Sequence, residues 1–246
     1  IHSHNVYCIH HSQVLTNSLS LSFLLINTNS QTMATSDGSS NAATKEEAVQ
    51  VEPKTGISFP VKLDDGKILY CVGYNKKSLL GLSIKAYGFG LYVDSDKLKD
   101  VLKSKIEKAP SKPTEEMYQL AIDGDFGMTI KMVVSFSGVK LSMAKKGFTE
   151  AMRESMKKLT GQKNEELSNK VFGTTSDKIK LRLGSEMIVS KLPGYVLETK
   201  VNGELVSRVE SELLCRAYFR NYLGEDTLEC EKESREMFGQ SMLSLF

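Results

Sequence analysis

LLGLSIKAYGFGLYVD, residues Leu79–Asp94, decides how this chain is read. Its period-two alternation is apolar on both phases. Leu80, Leu82, Ile84 and Ala86 fall on one phase; Phe89, Leu91 and Val93, preceded by Ser83, Lys85 and Tyr87, fall on the other. Such a stretch reads as one long strand in the middle of a sheet, covered on both faces. Gly81, Gly88 and Gly90 interrupt it. Glycine inside a strand marks a bulge, a bend, or the close approach of another backbone or a ligand. Tyr87 stands just before two of these glycines, and its phenol is a candidate ligand contact.

Working outward, Asp65-Gly66 is a turn signal, and Ile68, Tyr70 and Val72 alternate after it as a strand. Gly73–Ser78 (GYNKKS) reads as a polar connection into the long strand. On the other side, Asp94 or Ser95 caps a helix whose inner face is Leu98, Val101, Leu102 and Ile106. Thr114 starts a short second helix, with Glu115 and Glu116 in its first turn. Phe126–Phe136 alternates as a half-buried antiparallel strand. Ser142 is expected to cap a helix to about Leu159, lined by Phe148, Met152, Ser155 and Leu159, with Gly161 at its end. A short helix follows over Glu165–Phe172. Strands are then expected over Ile179–Leu192, with a bend at Gly184, and over Tyr195–Val201, and after the Asn202-Gly203 turn through Leu205, Ser207 and Val209. Ser211 opens a helix with Leu213, Leu214, Ala217 and Tyr218 inward, and a last helix covers about Thr227–Leu245.

Strands do not alternate regularly with single helices. The order implies an α+β fold, a mostly antiparallel sheet with helices packed against it, rather than a doubly wound parallel sheet.

Composition sets the boundaries. Residues 1–32 contain no Lys, Arg, Asp or Glu and hold all four histidines. They read as an upstream segment unrelated to the fold: they lack the positive n-region of a signal peptide and the arginines of a transit peptide. Residues 33–50 are small and polar and read as a disordered tail. Residues 51–246 read as one domain. That domain has no histidine and no tryptophan, so it cannot run a Ser-His or Cys-His nucleophile and lacks the commonest metal ligand. Its cysteines, Cys71, Cys215 and Cys230, are far apart, which points to a reducing compartment and away from structural zinc. A net charge of +2 with interspersed signs points to neither nucleic acid nor a membrane. No metal or cofactor is expected. The tail after Met33 is short and acidic, which favours the cytosol over the chloroplast stroma.

Gly73–Asp94 resembles the chalcone isomerase family, whose members carry a G-hydrophobic-R followed by K-x-[Thr or Tyr]-A-x-G-x-Y. The second half stands here as Lys85-Ala86-Tyr87-Gly88-Phe89-Gly90-Leu91-Tyr92, and Val209–Leu214 gives a second match. The resemblance implies a chalcone isomerase-like open-faced β-sandwich, a large sheet covered on one side by helices, with a ligand cleft between. Plant members of the family are isomerases that close a chalcone into a flavanone, non-catalytic helper proteins, or fatty-acid-binding proteins.

Carried over by position, the isomerase residues are mostly replaced. Asn75 stands where the arginine belongs, Tyr87 at the threonine, Ala144 and Ala151 near the tyrosine and asparagine of the central helix, and Cys215 at the threonine or serine of the penultimate helix. An isomerase needs donors placed to stabilise a developing oxyanion. Without the cation and most hydroxyls, isomerase activity is not expected. Tyr87 instead matches the fatty-acid-binding branch, where tyrosine and arginine hold a carboxylate together. The resemblance therefore implies non-catalytic binding of a fatty acid or similar amphipathic carboxylate, with Tyr87, Asn75, Cys215 and Ala151 as candidate contacts. Lys76, Lys77 or Arg153 is the candidate replacement for the missing charge. The methionines at 128, 132, 143, 152 and 156 suit an adaptable apolar cleft. Two alternatives stand beside this one: a chalcone isomerase, and a helper protein that docks on a biosynthetic enzyme.

Overall fold

A computed structural model describes residues 48–79, 82–173, 179–227 and 231–246. The expectations for residues 1–32, and for 33–47 of the tail, fall outside that description. Val49 and Gln50, expected in the tail, instead open a strand, β1 (Val49–Glu52), which pairs antiparallel with β2 (Ile57–Pro60). Buried Glu52 fixes the turn between them by accepting from the Thr55 amide at 2.7 Å and from its hydroxyl at 2.5 Å.

The main sheet has β3 (Ile68–Leu79), β4 (Leu82–Val93), β5 (Met128–Val134), β6 (Glu186–Leu192), β7 (Val196–Val201) and β8 (Glu204–Glu210), in that spatial order and antiparallel throughout. Its helices are α1 (Ser95–Lys105), α2 (Glu115–Asp123), α3 (Leu141–Thr160), α4 (Glu165–Asn169), α5 (Glu212–Leu223) and α6 (Lys232–Leu243). The α+β expectation holds, and the core lies between one face of the sheet and the helices. Local signals account for much of this. Asp94, Thr114 and Ser211 cap α1, α2 and α5 by accepting from the amides of Lys97, Met117 and Leu214. Asn202 and Gly203 both take positive φ, 50° and 83°, in the β7–β8 turn.

Four expectations need correction. Gly73–Ser78 is not a connection but the second half of β3. Lys76 and Lys77 are exposed near the tip of the hairpin, so the segment reads as polar although its backbone pairs with β4. Only Glu186–Leu192 of the expected 179–192 strand is a strand, because Gly184 turns the chain at φ 81°. Ser142 does not cap α3: Lys140 is the N-cap residue and makes no side-chain capping bond.

The fourth correction concerns β4 itself. Tyr87 pairs with Asn75 and Lys85 with Lys76, which leaves Ala86 as an extra, bulged residue. Opposed residues point to one side of a sheet, so the Ile84–Lys77 and Asn75–Tyr87 pairs share a face although Ile84 and Tyr87 differ in phase. The double apolar phase thus records a shift of face at Ala86, and beyond it Leu82 is 70% exposed. The second face is covered only from Gly88 onward. A Cβ on Gly88 would lie 2.8 Å from the Thr55 hydroxyl, and one on Gly90 3.0 Å from the Phe59 ring. The two glycines admit the β1–β2 hairpin against the back of the sheet.

Two contacts hold helices to the sheet. Gly73 on β3 lets α6 approach: a Cβ there would lie 2.8 Å from the Ser234 side chain. Lys191 on β6 is fully buried, and its ammonium donates to the carbonyls of Ala121, Ile122 and Gly124 at 3.2, 3.2 and 2.7 Å. It thereby satisfies the orphan carbonyls at the end of α2. No described helix is long and apolar enough to cross a membrane.

Candidate functional site

Between the sheet and the helices lies a cavity of about 740 Å³, within the size range of small-molecule sites. The sheet contributes Asn75 and Lys77 from β3, Ile84, Ala86 and Tyr87 from β4, Val134 from β5 and Met187 from β6. Opposite stand Met143, Phe148, Ala151 and Ser155 of α3 and Arg220, Asn221 and Tyr222 of α5, with Leu181 from the loop before β6. Residues 144, 148, 151 and 155 recur at helical spacing and form one wall; of the α3 face expected inward, Phe148 and Ser155 line the cavity, while Met152 is buried in the core and Leu159 packs against it.

The bulge at Ala86 makes the sheet wall continuous, since it keeps Ile84 and Tyr87 on the cavity side. Tyr87 packs in an aromatic cluster. Its ring lies 6.2 Å from Phe148 in a stacked arrangement and 6.5 Å from Phe89, and Phe89 meets Tyr222 edge-on at 5.1 Å. Burial pushes the Tyr222 hydroxyl well above its ordinary range, and neighbouring Tyr87 and Glu231 push it further. This hydroxyl stays protonated and donates to the Met132 sulfur at 3.7 Å.

Asn75 is 2% exposed, and its Nδ2 donates to Glu231 Oε1 at 2.8 Å. Glu231 is the N-cap residue of α6, is 4% exposed, and also lines the cavity. Positive charge comes from Lys77, Lys146, Lys158 and Arg220. Lys77 and Lys146 are exposed. Lys158 and Arg220 both pair with Asp226, the latter at 3.1 Å. Among the described residues, none of these four hydrogen-bonds to Asn75.

Of the residues singled out from sequence, Tyr87, Asn75 and Ala151 meet in this cavity, and Ala144 joins them. Cys215 does not. It is fully buried outside the lining, and burial pushes its thiol up to about 12 even though the nearby Lys191 opposes the shift. Position on the penultimate helix placed it near the site, but the inward face of α5 continues past the cavity into the core. Among the candidate cations, Lys77 lines the cavity. Lys76 lies over the Tyr74 ring at 5.6 Å, and Arg153 turns to Glu150 at 3.2 Å. Met143 lines the cavity, whereas Met128, Met132, Met152 and Met156 are core. Sequence reading missed Tyr222 and Glu231. Tyr222 follows Tyr218 at helical spacing, a signal that was present. A glutamate just ahead of a helix ordinarily reads as an exposed cap. Among the described residues no group of His, Cys, Asp and Glu could hold a metal ion.

Comparison with known proteins agrees with this architecture. A chalcone isomerase-like family model matches residues 80–233. Chalcone isomerase-like protein 1 of Humulus lupulus is 68% identical over 215 residues, covering 87% of this chain and all of that protein. Fatty-acid-binding protein 1 of Arabidopsis thaliana is 34% identical over 199 residues, covering 79% of this chain and 71% of that protein. A crystal structure of an Arabidopsis thaliana fatty-acid binding protein superposes with a TM-score of 0.73 at 33% identity, covering 80% of this chain and 98% of that one. With family model, relatives and fold in agreement, the chain belongs to the chalcone isomerase-like family.

Proposed function

We propose that this protein binds a fatty acid or similar amphipathic molecule in the cavity between sheet and helices and does not transform it. The observation that carries the reading is the cavity: about 740 Å³, walled by Ile84, Val134, Phe148, Ala151 and Met187, with Tyr87 and Asn75 facing each other at one place on its wall. The names of the Arabidopsis relatives and of the solved neighbour support the ligand class. The replaced residues support the absence of chemistry. Asn75 supplies no charge where a cation would stabilise an oxyanion, and the central helix presents Ala144 and Ala151 to the cavity in place of polar groups.

The test is direct. Purified protein, stripped of lipid, should bind fatty acids between dodecanoate and octadecanoate saturably. It should also convert a chalcone to flavanone no faster than the spontaneous cyclisation. Absence of saturable binding, or a chalcone rate clearly above background, overturns the proposal.

A further inference from the structure

The cavity's most buried polar corner is an acceptor of hydrogen bonds, and this bears on which form of head group it takes. Nδ2 of Asn75 is committed to Glu231 at 2.8 Å, which fixes the orientation of the amide. The other amide atom, Oδ1, is buried and, among the described residues, has no hydrogen-bond partner, on a residue 2% exposed that lines the cavity. A buried carbonyl left unpaired carries its full desolvation cost and gains most from a ligand that donates to it. Beside it stands Glu231, 4% exposed, whose negative charge reaches both Tyr218 and Tyr222.

An ionised carboxylate brings only acceptors. Placed here it would meet a carbonyl oxygen and a second negative charge. Among the described residues of the lining, the cations are occupied or solvated: Lys158 and Arg220 are engaged by Asp226, and Lys77 and Lys146 are exposed.

We infer that this corner receives a neutral, hydrogen-bond-donating head group, a hydroxyl or an un-ionised carboxyl, and selects against an ionised carboxylate. The O–H of the ligand donates to Asn75 Oδ1. The inference rests on the cavity being the ligand site and adds the protonation state of what enters it.

Displacement of an uncharged environment-sensitive dye measures this at neutral pH, with dodecanol and dodecanoate as paired probes of equal chain length. Dodecanol is expected to bind at least about ten-fold more tightly to the unaltered protein. E231Q, which removes the charge, and N75R, which supplies a cation, are each expected to narrow that ratio by strengthening dodecanoate binding. Equal or tighter dodecanoate binding to the unaltered protein overturns the inference while leaving the cavity as a ligand site. A preference for dodecanol that both variants leave unchanged also overturns it, since it then reflects partition alone. If neither probe displaces the dye, the inference falls together with the proposed function.

Discussion

Asn75 and Tyr87 stand directly opposite each other on β3 and β4, and the Asn75 amide is tied to Glu231 at the start of α6. One asparagine thus joins the sheet edge, the cavity and the last helix. N75A removes a donor from a buried carboxylate and is expected to lower stability by about 1–3 kcal/mol in denaturant unfolding. N75D puts a second carboxylate beside Glu231 and is expected to cost more than N75A. Equal stability of all three proteins would show that the bond to Glu231 contributes nothing.

Tyr87, Ala151 and Cys215 separate lining from core. Y87F removes one hydroxyl from the cavity and is expected to weaken ligand binding roughly three- to ten-fold, the effect of one hydrogen bond. A151F fills the α3 side of the cavity and is expected to abolish saturable binding. Cys215 lies outside the lining, so C215S should leave affinity within about two-fold while lowering stability by about 1–3 kcal/mol, because it buries a hydroxyl. Dye displacement and chemical denaturation on the same samples distinguish the three. A large affinity loss in C215S would contradict the site as drawn.

Lys191 makes stability depend on alkaline pH. Burial lowers its pKa from 10.5 to about 8, against the opposing pull of Cys215, Asp125 and Asp123. Below about pH 8 the ammonium is charged in both states, and the full cost of burying that charge is present. Between about pH 8 and 10.5 the unfolded chain holds more protons on Lys191 than the folded one, so the contribution of this residue to stability rises with pH through that window. The gain is at most about 3 kcal/mol. K191M should abolish this rise and, by orphaning the carbonyls of Ala121, Ile122 and Gly124, should lower stability at neutral pH. Buried Cys71 and Cys215 above about pH 9, and buried Tyr218 and Tyr222 above about pH 10, have raised pKa values and act oppositely, so the difference between parent and K191M is the quantity to follow.

Signals confined to one element were legible in the sequence. Asp94, Thr114 and Ser211 cap the helices they precede, and Asn202-Gly203 makes its hairpin, because each acts within a few residues of chain. The fold class followed from the order of these elements. What escaped depends on pairing across the chain. The apolar residues of both phases in β4 read as burial on two faces, yet part of that signal is a bulge, and only the register against β3 shows it. Gly73–Ser78 reads as a loop because its exposed side chains are lysines, while its strand character lies in backbone bonds to β4. The site was half legible for the same reason. Tyr87 and Asn75 belong to one motif, but Glu231 reaches them from 156 residues away.

Two glycines, one on the back of the sheet and one in α3, give the last prediction. A Cβ at Gly88 would lie 2.8 Å from the Thr55 hydroxyl and 3.1 Å from Ile57 Cδ1, with the β1–β2 hairpin immediately behind. G88V must displace that hairpin and is expected to cost about 1–3 kcal/mol. Gly147 lies within α3 and lines the cavity, and a Cβ there meets nothing within 4 Å. G147A is expected to stabilise the protein by about 0.5–1 kcal/mol, because alanine loses less backbone freedom than glycine in forming a helix. Its methyl group enters open space, so ligand affinity can shift slightly while stability rises. Thermal unfolding followed by circular dichroism reads both variants, and a G147A protein less stable than its parent would mean that α3 moves closer to the sheet than its present position shows.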